Sequence, residues 1–240
     1  MFNYKGAVIG LGRIGAEFPD NHVRAYQDSP QCDLVAVSDV DSSKALLVPD
    51  VPFYTNYMDM VKNSDMSIVS VCTPPETHRK IVCDIAPYVL AIYCEKPIAT
   101  TLSDADAMIE ECKRFRTILQ INHQRRFVCP KFKFSRGILN TGSHAFDLIR
   151  QLFGEVVYID KDYVLTTTGL VELEYIDTME PFFELDCTRS KEPMMIKLGV
   201  EHLVDCINNN TSSWSSGEEA RQSLKCALEY GRIIGNLQAS

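Results

Sequence analysis

The sequence predicts an α/β fold: a doubly wound parallel sheet in the first half of the chain, followed by a smaller α+β domain with a mainly antiparallel sheet. Two observations carry this. Up to residue 122, short and nearly continuous apolar runs alternate with helical patterns, as expected of strands covered on both faces. Beyond it, strand-like runs follow one another without intervening helices, which suits antiparallel pairing.

The strands of the first half are predicted at Ala7 to Gly10, Leu34 to Asp39, Ser67 to Thr73, Leu90 to Cys94 and Thr117 to Asn122. Helical patterns cover Glu76 to Tyr88 and Ser103 to Phe115; in the second, Ser103 with Asp106 three residues on forms a candidate capped start. A polar, basic stretch follows (His123 to Arg126), then a helix from about His144 to Phe153. Strand-like pieces come next, around Val156 to Thr166 and Leu170 to Ile176, then a carboxy-terminal helical region. The domain boundary therefore falls near Asn122, giving domains 1–122 and 123–240. "NNNTSSWSSG" (208–217) reads as a loop.

The 240 residues are 45% apolar, enough for a sizeable core in one or two domains, and the formal net charge is -8. That charge argues against nucleic acid or an anionic membrane surface as partner, since both attract a positive field. No run approaches the roughly 18 apolar residues of a membrane helix, and "MFNYKGAVIG" lacks a basic segment leading into a long apolar one. The default expectation is a cytoplasmic protein. Nine cysteines are scattered without a C-x-x-C pair, which suits reduced core thiols; disulfides or a zinc site are the alternatives. No metal site is predicted.

"AVIGLGRIG" places Gly10, Gly12 and Gly15 at the G-x-G-x-x-G spacing directly after an apolar strand, with Leu11, Arg13 and Ile14 completing the loop. Gly10 permits a tight turn, Gly12 lets the backbone approach a pyrophosphate, and Gly15 lets the following helix pack closely on the strand. Free N–H groups at a helix start would then hold the anion. This pattern suits a Rossmann-type dinucleotide-binding domain; three glycines that mark an ordinary turn are the alternative. Asp39 ends the second strand, where a carboxylate can accept hydrogen bonds from ribose hydroxyls and repel a 2′-phosphate, favouring NAD over NADP. Alternatively, Asp39 caps the loop "DVDSSK". Ser38, Ser42, Ser43 and Lys44 keep NADP open.

"VCTPPETH" (71–78) and "CEKPIAT" (94–100) both follow strands whose carboxyl ends lie on the ligand side of such a sheet. Together with "GLGRIG", "SDVD" and "GSHAFDL", they resemble the Gfo/Idh/MocA oxidoreductases, which act mainly on sugars and cyclitols. The resemblance runs from about Ala7 to Gly154. It implies that Lys96 sits between nicotinamide and substrate, able to hydrogen-bond a developing alkoxide and relay its proton. It also implies that Glu95 orients the lysine or the cofactor, and that Thr73, Pro74 and His78 line the cofactor groove. Pro97 fixes the turn, with a cis peptide open to it. The alternatives are a solvated Glu95–Lys96 ion pair and an ordinary helix-start histidine at position 78. In "INHQRRF", Gln124 and Arg125 fall where the family brings polar groups toward nicotinamide and substrate.

"LNTGSHAFDLIRQLFGE" (139–155) resembles the family segment that carries a D-x-x-x-H pair. His144 matches its histidine, which implies the general base that removes the hydroxyl proton as hydride leaves carbon. A structural histidine is the alternative. The aspartate position holds Asn140, which positions a hydroxyl but takes no proton. Asp147, three residues beyond His144, either holds the imidazole or solvates the helix. "G-x-L-N-x-G-S-H" resembles a family subset associated with nucleotide-sugar and surface-polysaccharide pathways. Only "VCPKFKF" and "SRGIL" separate "QRRF" from this segment, so the second domain is abbreviated relative to the family pattern.

The resemblance therefore implies an NAD-dependent dehydrogenase acting on a secondary alcohol of a sugar or nucleotide sugar. An open sheet face that needs covering gives a homodimer or homotetramer as the expected assembly. A redox-neutral sugar enzyme that recycles NAD, such as an epimerase or glycosidase, and a non-catalytic dinucleotide-binding protein are the alternatives.

Overall fold

The computed structural model describes residues 3–123, 131–135, 156–159, 163–166, 169–176, 183–186 and 195–233. The chain forms two units, residues 1–123 with 196–240, and residues 124–195.

The first unit is built on six strands: β1 (Tyr4–Ile9), β2 (Cys32–Ser38), β3 (Phe53–Tyr54), β4 (Ile68–Val71), β5 (Ala91–Cys94) and β6 (Ile118–Ile121). Their order is β3-β2-β1-β4-β5-β6, and every pair is parallel. The chain winds outward from β1 to β3, then restarts at β4 on the other side of β1. The crevice at the carboxyl ends of β1 and β4 is thus the switch point where ligands bind in open α/β sheets. All five strands expected from sequence are present. The sixth, β3, has two residues, too few for a periodic signal.

Register decides what meets at that edge. Ile9 lies opposite Ser38 on one side and Val71 on the other; Cys94 lies opposite Val71 and Ile121. The next residue of each strand therefore leaves the sheet in one row: Gly10, Asp39, Cys72, Glu95 and Asn122.

Alternation along the strands splits the core into two layers. Ala7, Ile9, Val69, Val71, Ile92 and Cys94 face one cluster, which also takes residues of α2 (Tyr57–Asn63), α3 (Pro75–Ile85) and α4 (Leu102–Phe115). Val8, Ile68, Ala91 and Tyr93 face the other, with α1 (His22–Gln27). Helix α4 starts one residue before its sequence expectation, and its cap is Thr101, whose hydroxyl oxygen accepts from Asp104 N–H at 3.1 Å. The Ser103/Asp106 cap is thereby corrected: both residues are already helical, and a capping side chain must precede the first turn.

The two units divide the chain at other points than the expected domains 1–122 and 123–240: helices α5 (Met195–Asn209) and α6 (Gly217–Ile233) fall in the expected second domain, while residues from 196 onward cluster with the first unit. Ile196, Val200, Leu203 and Val204 pack with Val8, Leu11, Tyr26 and Tyr93, covering a sheet face that the six residues of α1 are too few to cover. Ala220 and Leu224 join the opposite layer. The loop between the two helices is tied to β6, with Ser213 Oγ donating to Gln120 Oε1 at 2.7 Å and Ser215 Oγ to Ile121 O at 2.6 Å; Gln120 Nε2 also donates to Gly199 O, within α5, at 2.9 Å.

The second unit is a five-stranded sheet of β7 (Lys131–Ser135), β8 (Val156–Ile159), β9 (Tyr163–Thr166), β10 (Gly169–Ile176) and β11 (Phe183–Asp186), ordered β11-β7-β10-β9-β8. Its pairings are antiparallel except β10 with β7. The strand-like pieces expected around Val156 to Thr166 are the two strands β8 and β9, paired antiparallel. The helix expected from about His144 to Phe153 lies outside the described residues.

Candidate functional site

The glycine loop leaves β1 with Gly10 at φ +90°, and a Cβ there would also come within 2.8 Å of the Cys72 carbonyl carbon. A side chain on Gly15 would collide with the Gly10 carbonyl oxygen, so the turn is folded back on itself. Around Gly12, by contrast, a Cβ would meet nothing within 4 Å. The fold itself therefore demands glycine at 10 and 15, while glycine at 12 leaves the loop's surface open. That is the shape a pyrophosphate needs to reach backbone N–H groups, so the loop fits a dinucleotide. The loop leads into a five-residue turn of π type, Arg13–Glu17, before α1 begins, and not directly into the helix expected from sequence. The Arg13 guanidinium lies over the Phe18 ring, 4.1 Å from its centroid.

Asp39, half-buried at the end of β2, ties this loop down: Oδ2 accepts from Leu11 N–H at 2.7 Å and Oδ1 from Asp41 N–H at 2.9 Å. Its loop-capping reading is thus a fact of the structure. Lys44, which kept NADP open, pairs with Glu17.

At the end of β5 the motif divides. Lys96 is exposed, and the Lys96–Pro97 peptide is cis. Glu95 turns inward and is 8% exposed. Its Oε1 accepts from His22 Nε2 at 3.0 Å and from Asn122 Nδ2 at 2.5 Å, while Oε2 faces Lys96 N–H at 3.3 Å. The solvated Glu95–Lys96 ion pair is therefore not formed. Burial pushes the Glu95 carboxyl up, but the His22 imidazole, the Asn122 amide and the Lys96 N–H that face it together hold it below its ordinary value. Behind it, His22 Nδ1 meets Ser70 Oγ at 2.8 Å, Tyr26 Oη lies 3.0 Å from the same hydroxyl, and Tyr93 Oη donates to Asn122 Oδ1 at 2.7 Å. His22, Tyr26, Ser70, Tyr93, Glu95 and Asn122 are all buried.

His78 is fully buried. Its Nε2 meets Thr73 O at 2.8 Å, and its Nδ1 meets Pro97 O at 3.1 Å and Ile98 O at 3.3 Å. Both ring nitrogens are engaged by backbone carbonyls, so the imidazole braces the turn after β4 against the turn after β5. Thr73 and Pro74 precede α3, with Pro74 at its N-cap and the Thr73 hydroxyl accepting from Thr77 Oγ1 at 2.7 Å. Gln124, Arg125, Asn140, His144 and Asp147 lie outside the described residues.

Sequence reasoning missed His22, Tyr26, Ser70, Tyr93 and Asn122 as site components. A signal existed: His22 and Tyr26 stand four apart on α1, so they share a face, and Ser70 interrupts an otherwise apolar strand.

A parallel sheet with a glycine loop at its switch point and an acidic residue at the end of β2 defines a dinucleotide-binding domain of Rossmann type. The family profile described as "Oxidoreductase family, NAD-binding Rossmann fold" matches residues 4–123, and the chain belongs to this family, that of Gfo/Idh/MocA. It is similar to the rhizopine catabolism protein MocA of Rhizobium meliloti, 33% identical over 144 residues, covering 59% of this chain and 44% of that protein. The myo-inositol 2-dehydrogenase of Thermotoga maritima is 32% identical over 124 residues, 50% of this chain and 36% of that protein. The chain thus matches less than half the length of these relatives. In fold it resembles a crystal structure of an oxidoreductase from Agrobacterium radiobacter in complex with NAD+, L-tartaric acid and magnesium, with TM-score 0.63 and 17% identity over 92% of this chain and 93% of that one.

Proposed function

We propose that the protein is an NAD-dependent dehydrogenase that moves a hydride between nicotinamide and a secondary alcohol carbon of a sugar or nucleotide sugar. One observation carries the reading: Lys96 follows directly on Glu95, which leaves the sheet in the same row as Gly10 and Asp39. Family membership and the similarity to a myo-inositol 2-dehydrogenase support it.

Bound NAD would supply the hydride acceptor or donor. The backbone of the Gly10–Gly15 loop, with Leu11, Arg13 and Ile14, would hold the pyrophosphate, and Asp39 would use its remaining lone pairs on the adenosine ribose. Lys96 would hold the reacting hydroxyl oxygen and stabilise negative charge as it develops there. Glu95 keeps Lys96 in place and takes no part in proton transfer. Thr73, Pro74 and His78 would line the cofactor groove, by resemblance to the family motifs. By resemblance to the family motifs, His144 is the general base, Asn140 and Arg125 bind substrate, and Gln124 approaches the nicotinamide. A homodimer or homotetramer in the cytoplasm belongs to the same reading.

Calorimetric titration with NAD and NADP, followed by a panel of sugars, cyclitols and nucleotide sugars scored by absorbance of reduced cofactor, tests this. Tight NAD binding with substrate-dependent, stoichiometric NADH release is expected. Conversion of substrate without NADH release would instead identify a redox-neutral enzyme, and binding without turnover a dinucleotide-binding protein, the reading that Asn140 favours.

A further inference from the structure

We propose that His22 is a positioning residue of this site, acting through Glu95 on the turn that carries Lys96. The inference rests on the reading of Lys96 as the group at the reacting oxygen.

The hydrogen bonds around Glu95 are satisfied by one set of protons. Tyr26 Oη donates to Ser70 Oγ at 3.0 Å, Ser70 donates to His22 Nδ1 at 2.8 Å, and His22 Nε2–H donates to Glu95 Oε1 at 3.0 Å. A second arm runs from Tyr93 Oη to Asn122 Oδ1 at 2.7 Å, and from Asn122 Nδ2 to the same Glu95 oxygen at 2.5 Å. Each donor is used once, and both arms end on the one member that can only accept, the Glu95 carboxylate. Its other oxygen is left for Lys96 N–H.

This arrangement does more than fill space. Ser70 on the far nitrogen sets the tautomer of His22, and the Tyr93 ring meets the imidazole edge-on with centroids 4.9 Å apart, so the ring has one orientation. A carboxylate held by two donors on one oxygen cannot rotate, and it is joined by a single peptide to the residue that must present its amine. The glycine loop and Asp39 take no hydrogen bond from this network. Loss of His22 should therefore loosen Lys96 while leaving dinucleotide binding in place.

Three variants test this: His22→Leu, which keeps volume and removes both bonds; His22→Gln, which restores an N–H toward Glu95; and Ser70→Ala, which frees the far nitrogen. In His22→Leu, kcat should fall by about tenfold or more, with the Kd for NAD and the KM for the alcohol changed by less than about threefold. His22→Gln should recover most of that loss, and Ser70→Ala should lower kcat by about two- to fivefold. Full kcat in folded His22→Leu, an equal loss of NAD affinity, or no recovery in His22→Gln would overturn the proposal. Should His22→Leu not fold, Ser70→Ala decides, and an unchanged kcat overturns it. If the parent protein turns over no alcohol, the dehydrogenase reading fails separately, and His22 is then judged by the NMR resonance of dimethylated Lys96, assigned with Lys96→Arg. A shift in His22→Leu that His22→Gln reverses supports the proposal; a resonance unmoved by either refutes it.

Discussion

The Glu95 carboxylate and the His22 imidazole, 73 residues apart in the chain, meet at 3.0 Å inside the first unit, with His22 wholly buried. Two crossings make this contact: α1, which follows the glycine loop of β1, and the turn after β5 are brought together because β4, carrying Ser70, pairs with both β1 and β5. Helix α1, which follows the loop proposed to hold the cofactor, and the turn proposed to hold the reacting oxygen are thus joined beneath the sheet edge by buried hydrogen bonds, while the loop itself stays outside the network. Buried polar groups cost stability unless partnered, so this network specifies one arrangement of the edge.

Replacing Glu95 tests how far the network depends on a pure acceptor. In Glu95→Gln, the amide oxygen can still take His22 and Asn122, but the new NH2 then faces Lys96 N–H, donor against donor. Urea unfolding should show a loss of about 1–3 kcal/mol, the usual cost of an unsatisfied buried group.

Acid should expose the same residue. The folded Glu95 carboxyl lies below its ordinary value of 4.5, so the folded state binds this proton less readily than the unfolded one. Its contribution to stability is present above the unfolded value and is lost as pH falls through the folded one. The melting temperature of the parent should therefore drop more steeply below about pH 4.5 than that of Glu95→Gln. Asp84, Asp106 and Glu218 are also lowered, but they form ion pairs at the surface, which salt screens. The difference between parent and variant should survive added salt.

The glycines of the loop separate fold from function. Gly15→Ala places a methyl group against the Gly10 carbonyl, which is backbone and cannot yield, so stability should fall by about 2–4 kcal/mol. Gly12→Ala meets nothing, so its urea midpoint should stay within about 0.5 kcal/mol of the parent, while NAD affinity falls by about tenfold or more as the methyl occupies the approach to the loop. Equal effects of the two substitutions on stability and on NAD would contradict this division.

Much of the first unit was legible because its strands are apolar on both faces and its turns carry glycine, proline and capping residues. What escaped depends on distance along the chain. Nothing near Met195 to Ile233 announces that these helices return to the first sheet, since an amphipathic helix reads alike against either unit. His22 was invisible for the same reason, its partners Ser70 and Glu95 lying 48 and 73 residues away. For His78 the sequence shows a histidine beside the "TPP" turn, whereas only the fold shows carbonyls on both sides of its ring. The candidate general base at His144 rests on its motif and lies outside the described residues.

Lys96 is the residue on which the proposed chemistry is most directly tested. Its side chain is exposed at the end of β5, while the anchoring of the turn is done by Glu95, His22 and His78, none of which needs the lysine side chain. Lys96→Ala should therefore fold with the parent's melting temperature and bind NAD with nearly the parent's Kd. Removing the donor at the reacting oxygen takes away an interaction strengthened as negative charge develops, so kcat should fall by about a hundredfold or more. Lys96→Arg keeps the charge but spreads it over a planar fork, so it should recover only a small part of the loss. Stopped-flow measurement of NADH formation beside calorimetric titration with NAD separates the two effects. Retention of full turnover in Lys96→Ala would remove the lysine from the mechanism, and a parallel loss of NAD binding would move its role from the reacting oxygen to the cofactor.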